Sequence, residues 1–458
     1  MIKPIRLALG AGVGAAAYII ATVSGLDPKI ASTIGITALT AFWWISEAMP
    51  IPAASLTPFA LFPLFGVLDQ RQAAAALGSY VIILLMASFM LSKSLEKSGL
   101  HERFAVSMIR ITGKSARSLV IGFMIAAAIL SMWISNSATT LMLTTMALSI
   151  IGHTAASDDR LSAPLLMGIA FAASLGGTGT LIGTPPNLIF LDAYTAAAGQ
   201  EISFVRWMSI GLPVVVAGVP LIALWLTRNL GGVEAPELPS PGPWRTDERR
   251  VMIVFGAAIV AWITRVEPFG GWSDWFGIGL AGDSTVAVAA VVVMFLTPNG
   301  KGGALLDWDT ANDIPWGMLL LFAGGICIAA AFRESGLSTL IGEGLGGFVG
   351  DNPFVTILAI CLAVTFLTEM TSNTATANLL MPVLAAVATS KGLPPELLMA
   401  PAAIACSCAF MLPVATAPNA IIYATGRVPI ARMAREGVVI NIMIAIVTAT
   451  LATLLLSQ

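Results

Sequence analysis

The chain has 458 residues, of which 57% are hydrophobic and only 10% charged. A soluble protein of this size cannot hide that much apolar surface behind so few charges, so a soluble fold is excluded and an integral membrane protein expected. The formal net charge of −2 decides little, and nucleic acid is excluded as a partner, which leaves membrane lipid as the natural surroundings.

Apolar runs of about 15–22 residues mark spanning helices. They lie near 7–25, 30–47, 52–67, 78–95, 208–227, 250–264, 284–297, 314–332 and 436–456. Lys3 and Arg6 precede the first run, which reads as an anchor because no cleavage site leads into a soluble domain. Runs 119–134 with 138–151, and 354–371 with 375–390, are pairs of short segments interrupted by polar residues. Each pair reads as a re-entrant hairpin. Runs 163–198 and 397–426 are interrupted by polar stretches rich in Gly and Pro and read as broken spanning helices. The expected fold is an all-α polytopic membrane protein with eleven transmembrane crossings plus two hairpins. The stretch 229–249 is polar and rich in Pro and Gly, as a linker should be.

Lysine and arginine give an independent check on the crossings. With the N-terminus in the cytoplasm and the C-terminus outside, 17 of the 23 fall inside and six outside, namely Lys29, Arg71, Arg206, Arg265, Arg333 and Lys391. The linker is then cytoplasmic.

Both hairpin tips carry the same polar pattern. Ser131 precedes Ser135, Asn136 and Ser137; Thr368 precedes Ser372, Asn373 and Thr374. Polar clusters inside apolar sequence are costly unless something binds there. The halves also match in order elsewhere. Glu96 to Leu100 pairs with Arg333 to Leu337, and Gly183-Thr184-Pro185-Pro186-Asn187 pairs with Ala415-Thr416-Ala417-Pro418-Asn419. Five crossings separate the tips, and an odd number inverts the second copy. Inverted repeats with discontinuous helices are the mark of secondary transporters. The expected division is 1–118 (N-terminal scaffold and start of repeat 1), 119–228 (transport part of repeat 1), 229–249 (linker), 250–351 (scaffold of repeat 2) and 352–458 (transport part of repeat 2).

Gly and Pro open the backbone at the broken stretches and free carbonyl oxygens, to which hydroxyl and amide oxygens add. Hard oxygen ligands suit a small cation such as Na⁺, while half-helix N-termini face anions. At least two Na⁺ sites are expected. The first would use Ser131, Ser135, Asn136 and a carbonyl near Gly183; the second Thr368, Ser372, Asn373 and a carbonyl near Ala415. No Lys or Arg occurs within 118–159, 161–205, 352–390 or 392–426. A small dianionic substrate would therefore be balanced by helix dipoles, polar donors and co-bound cations, which makes coupling obligatory.

At these residues the chain resembles the divalent anion:sodium symporter family. The likeness rests on both tips, on both Thr-x-Pro-Asn stretches, on Trp43-Trp44 through Glu47 to Pro50 and Pro52, on Phe59 through Phe62-Pro63 to Gly66, and on Ile314-Pro315-Trp316-Gly317. It runs over nearly the whole length. The resemblance implies a homodimer in the bacterial cytoplasmic membrane, an elevator mechanism and Na⁺-coupled uptake of succinate-like dicarboxylates. It also implies that Asn136, Ser137, Asn373, Thr374, Thr416 and Pro418 touch substrate. Two positions depart from the family pattern: Ser137 stands where Thr is usual, and Ala417 where Pro is usual. Both bear on which anion is carried, since relatives include sulfate and tricarboxylate carriers and Na⁺-independent exchangers.

Other candidates receive plainer readings. Cys327, Cys361, Cys406 and Cys408 read as buried core thiols. Glu47 reads as a helix-end carboxylate, and Glu369 as a hydrogen-bonded support for the second tip. His101 and His153 are expected at the surface of loops. Most of the eleven Trp residues are expected as interface anchors, with Trp133 packing its hairpin. A membrane-embedded hydrolase would need a nucleophile–base pair or a metal cluster; no spanning run contains His, so no enzyme is expected. A channel fits the paired tips less well than alternating access does.

Overall fold

A computed structural model describes residues 3–111, 115–152, 160–230, 242–266, 270–348, 350 and 352–456. His153, Lys114 and the middle of the expected linker, 231–241, lie outside the described residues. The regular structure among those described is helical, with no strand.

Among the described residues, six helices are long and apolar enough to cross a membrane, by length and composition: Pro4–Val23, Gln70–Ser98, Ser162–Gly179, Phe204–Thr227, Trp316–Ser335 and Ile430–Leu456. The apolar segments of the hairpins and several others are shorter. The expected span 52–67 becomes Ile51–Ala54 and Thr57–Leu64, broken at Ser55 and carrying Pro63. Together they measure about 18 Å, less than the roughly 30 Å of a hydrocarbon core.

Among the helices that were not anticipated, two form a matched pair. Leu100–Ile111 and Leu337–Leu345 each follow a longer helix that ends on a left-handed glycine, Gly99 (φ 72°) and Gly336 (φ 80°). The serine before each glycine repeats as well. The Ser98 and Ser335 hydroxyls each accept from the residue opening the next helix, Leu100 N–H at 3.3 Å and Leu337 N–H at 3.4 Å. The matched sequence at 96–100 and 333–337 is this repeated corner. Only glycine enters that backbone region without strain.

The core has two main centres. In the larger, every residue of Ser162–Gly176 is buried, and the first hairpin packs against it closely enough that a Cβ on Gly176 would stand 2.4 Å from Ala128 Cα. In the smaller, Trp44, Phe62, Leu321, Ile328 and Phe332 hold the N-terminal helices against Trp316–Ser335. Pro4–Val23 packs on Pro28–Ser46 through small residues, Gly14 and Gly35 lying at the crossing.

Polar contacts between distant loops join residues assigned to the same side from sequence. Lys93 meets Asp313, Lys97 meets Asp307, Arg103 meets Glu248, Arg228 meets Glu436 and Lys301 meets Asp247, all expected inside. Gln72 meets Glu334 and Arg265 meets Asp283, all expected outside.

One surface expectation fails, and three tryptophans depart from another. His101 is buried, its Nδ1 lying 3.0 Å from the Leu95 carbonyl oxygen, because it opens an amphipathic helix rather than a loop. Trp44, Trp207 and Trp262 are buried core residues, each ring nitrogen donating within the protein: to Ser55 Oγ and to the carbonyls of Thr178 and Asp283. Their places near helix ends suggested lipid anchors, but neighbouring helices cover them. The four cysteines are all buried. Glu47 is exposed and closes Pro28–Ser46 in a left-handed conformation (φ 47°).

Candidate functional site: two hairpin tips and two broken helices

Each tip forms where one helix ends and the next begins five residues later. The first hairpin is Ala116–Ser131 and Asn136–Gly152; the second is Pro353–Thr368 and Asn373–Ser390. The break sits slightly earlier than the triplet. Ser135 and Ser372 precede the returning helices, while Asn136 and Asn373 are their first residues. The Ser135 hydroxyl accepts from Ala138 N–H at 3.2 Å, an N-terminal capping bond. The broken helices are Ser162–Gly176 with Pro185–Ala198, and Pro395–Cys406 with Ala417–Ala424. The proline-bearing outgoing halves start from Thr184 and Thr416, both in extended conformation.

Equivalent side chains make equivalent bonds in the two halves. The Ser131 hydroxyl donates to Asn136 Oδ1, and the Thr368 hydroxyl donates to Asn373 Oδ1 at 2.6 Å and to the Cys406 carbonyl at 3.2 Å. The end of each entering helix is thus tied to the start of its returning helix across the tip. Asn187 Nδ2 donates to the carbonyls of Gly177 (3.0 Å) and Thr180 (2.7 Å), ten and seven residues earlier. Asn419 Nδ2 donates to those of Ala409 and Leu412, both at 3.0 Å and again ten and seven residues earlier. The two asparagines hold the unwound stretches open in the same way. In both, the side-chain oxygen is buried without a partner.

The first cation set comes together only in part. A Cβ on Gly177 would stand 2.7 Å from Asn136 Oδ1 and 3.0 Å from the Gly183 carbonyl oxygen. Gly177 therefore lets the amide of Asn136 approach that carbonyl, joining Ser131, Asn136 and Gly183. In the second half Thr368 and Asn373 are bonded, Ala415 is buried beside the break, and Ser372 is exposed. Of the proposed substrate contacts, Thr374 and Pro418 are buried, and Asn136, Ser137, Asn373 and Thr416 are half-buried. Thr416 Oγ1 also accepts from Asn419 N–H at 3.2 Å, as the N-cap of its helix.

The halves interlock. Asn136–Gly152 packs against Ala417–Ala424, and Asn373–Ser390 packs against Pro185–Ala198, so each tip leads into the other half's broken helix. Thr184 Oγ1 lies 3.3 Å from Ser407 Oγ, and the Phe171 and Phe410 rings pack with centroids 5.0 Å apart. Trp133, beside the first tip, packs on Phe204 and Phe255. Four helices end and four begin around this centre. Carbonyl ends favour cations and N–H ends favour anions, so both charges of a coupled transport step find dipoles of the right sign.

One difference between the halves introduces a charge. The Glu369 carboxylate, buried, accepts from Met411 N–H (2.9 Å), Leu412 N–H (3.0 Å) and Asn441 Nδ2 (2.8 Å). Its counterpart is Met132, whose backbone carbonyl accepts from the Thr180 hydroxyl at 2.5 Å. Glu369 is thus hydrogen-bonded, as expected, but what it holds is the second unwound stretch beside its tip. The sequence reading passed over Asn441, Gly177 and the roles of Asn187 and Asn419. The asparagines could have been found from their equal distances to the Gly and Pro breaks; Asn441 lies in a helix with no local signal.

Among the described residues no group of three His, Cys, Asp or Glu side chains could hold a metal ion. A cavity of about 400 Å³ lies elsewhere, between Pro185–Ala198, Trp316–Ser335 and Asn373–Ser390, and is lined by alanines with Arg333 and Glu343. It includes no tip residue.

Comparison with known proteins agrees with this architecture. A family model described as citrate transporter matches residues 41–396. The sodium-dependent dicarboxylate transporter SdcS of Staphylococcus saprophyticus is 38% identical over 445 residues, covering 92% of this chain and 85% of that protein. Its namesake in Staphylococcus aureus is 36% identical over 437 residues, covering 90% and 84%. The crystal structure of the Alcanivorax borkumensis YdaH transporter shares the fold, with a TM-score of 0.62 at 15% identity over 92% of this chain and 98% of its own. The chain belongs to the citrate transporter family, and so to the divalent anion:sodium symporters, which are membrane transporters and not enzymes.

Proposed function

We propose that the chain is a Na⁺-coupled symporter that brings C4-dicarboxylates such as succinate, malate or fumarate across the bacterial inner membrane. The observation that carries this reading is the repeated cluster of neutral oxygens at the two tips, in chain segments free of Lys and Arg. Such clusters can hold Na⁺, and a dianion between them needs those cations to offset its burial. The names of the staphylococcal relatives support the same substrate class. In this reading Ser131, Ser135, Asn136 and the Gly183 carbonyl hold one Na⁺, and Thr368, Ser372, Asn373 and the Ala415 carbonyl hold another. Asn136, Ser137, Asn373, Thr374, Thr416 and Pro418 face the dicarboxylate. The protein works as a homodimer with eleven crossings, its N-terminus cytoplasmic and its C-terminus outside. Segments 119–228 and 352–458 slide as the transport part against a scaffold built from 1–118 and 250–351.

Ser137 and Ala417 are smaller than the residues usual in the family, and the family description names citrate. A tricarboxylate carrier is therefore the second reading. Purified protein in liposomes separates these. Labelled succinate should accumulate only with an inward Na⁺ gradient, and excess citrate should compete weakly. Uptake that ignores Na⁺ but needs internal dicarboxylate overturns symport in favour of exchange; strong competition by citrate favours the second reading.

A further inference from the structure

A second polar site, lined by no tip residue, lies at the end of three membrane helices. A cavity of about 220 Å³ is lined by Arg160, Arg228, Arg432 and Arg435, by the single carboxylate Glu436, and by Pro164, Met167, Leu226 and Leu230. Glu436 is buried and already engaged. Arg228 Nη2 donates to both its oxygens, at 2.8 and 3.1 Å, Trp225 Nε1 donates at 2.8 Å, and Arg435 Nη2 at 3.3 Å. Arg228 is further fixed over the Trp225 ring, 4.1 Å from its centroid. One carboxylate therefore serves two guanidinium groups. Arg432 stands three positions before Arg435 near the N-terminus of Ile430–Leu456, where the helix dipole adds positive potential.

The depth of this cluster indicates its ligand. Phe204–Thr227 has 24 residues and spans about 36 Å, so Arg228, directly after it, stands at headgroup level. Leucine, methionine and proline line the cavity together with guanidinium groups, a combination suited to a phosphate joined to something apolar.

We propose that this cavity is a phosphate-binding site that takes the headgroup of an anionic phospholipid. The guanidinium groups of Arg432 and Arg435 bind the phosphate oxygens. Arg228, held by Glu436 and Trp225, fixes the cavity wall, and the apolar wall receives the start of the acyl chains. The site rests on its own geometry and not on the transport reading.

The test uses the full chain purified into nanodiscs of phosphatidylcholine containing one-tenth phosphatidylglycerol. Lipid retained after transfer to detergent is measured by native mass spectrometry for the wild type, the Arg432→Gln/Arg435→Gln double variant and the Arg432→Lys variant. The wild type should retain phosphatidylglycerol over phosphatidylcholine, and the double variant should lose about 10- to 30-fold of that preference. Arg432→Lys keeps the charge and should keep most of the preference, which separates loss of the site from loss of the fold. Titration with inorganic phosphate distinguishes the source. Displacement of the lipid only at concentrations far above those of the lipid supports the headgroup. Displacement at matched concentrations, lost in the double variant, keeps the phosphate site but overturns the lipid as its occupant. Equal retention of both lipids by the wild type, or unchanged preference in the double variant, overturns the proposal altogether.

Discussion

Replacing Asn187 by Ala should destabilise the protein more than the same change at Asn419, although the two residues make the same bonds. Asn187 Nδ2 satisfies the carbonyls of Gly177 and Thr180, and both of these residues are buried. Asn419 Nδ2 satisfies those of Ala409, which is buried, and Leu412, which is half-buried. A buried carbonyl that loses its donor costs about 1–3 kcal/mol, and water can take the donor's place only where it can reach. Asn187→Ala strands two such carbonyls, for roughly 2–6 kcal/mol by the same figure. Asn419→Ala strands one and lets the other rehydrate, for about 1–3 kcal/mol. Thermal unfolding of the purified variants in one detergent, followed by tryptophan fluorescence, should rank wild type above Asn419→Ala above Asn187→Ala. Asn187→Asp, which sets a carboxylate against two carbonyl oxygens, should fall at or below Asn187→Ala. An Asn419→Ala variant as unstable as Asn187→Ala would refute the argument from burial. An unshifted Asn187→Ala would show that the two bonds do not hold the unwound stretch open.

Gly177→Ala places a methyl group 2.7 Å from Asn136 Oδ1 and must push the amide from the Gly183 carbonyl. Strain of about 1–3 kcal/mol at this point should raise the Na⁺ concentration for half-maximal succinate uptake roughly 5- to 150-fold; an unchanged Na⁺ dependence would remove Gly177 from the cation site. Glu369→Gln keeps one acceptor but turns an NH₂ group toward the N–H of Met411 or Leu412. The stranded N–H and the lost charge should cost about 1–3 kcal/mol in unfolding, and a variant as stable as wild type would deny Glu369 its supporting role. The Lys97–Asp307 pair requires both residues on one face of the membrane. Single cysteines at 97 and 307, in otherwise cysteine-free protein, should react with an impermeant reagent only from the cytoplasmic side; opposite sidedness would break the crossing scheme.

Much of the fold was legible because its strongest constraints are local. Apolar runs set the long helices, and Gly and Pro set the breaks at 176–187 and 407–417. The matching triplets marked both tips. What stayed hidden depends on packing between distant segments. Nothing near Asn441 shows that it bonds the Glu369 carboxylate from another helix. Trp207 sits near a helix end, as a lipid anchor would, yet its indole reaches the Thr178 carbonyl in the core. His101 looked like a loop residue because the amphipathic helix it opens is too polar to read as a span and too short to show a strong period.

The repeat supplies two half-sites with the same bonds but different surroundings, and this difference can be measured. Around the first tip, Thr178, Thr180, Gly183, Thr184 and Asn187 are all buried and Ser135 is half-buried. Around the second, Ser372 is exposed, and Met370 and Val414 are 77% and 75% exposed. A cysteine in place of Ser372 should therefore react with a hydrophilic thiol reagent many times faster than one in place of Ser135. The four native cysteines, all buried in apolar surroundings, should contribute little background. Saturating Na⁺ should slow the reaction at 372 if the ion is held beside that residue. Equal rates at the two positions would show that the halves are alike in exposure as well as in bonding. A faster reaction at 135 would reverse the assignment of the buried half.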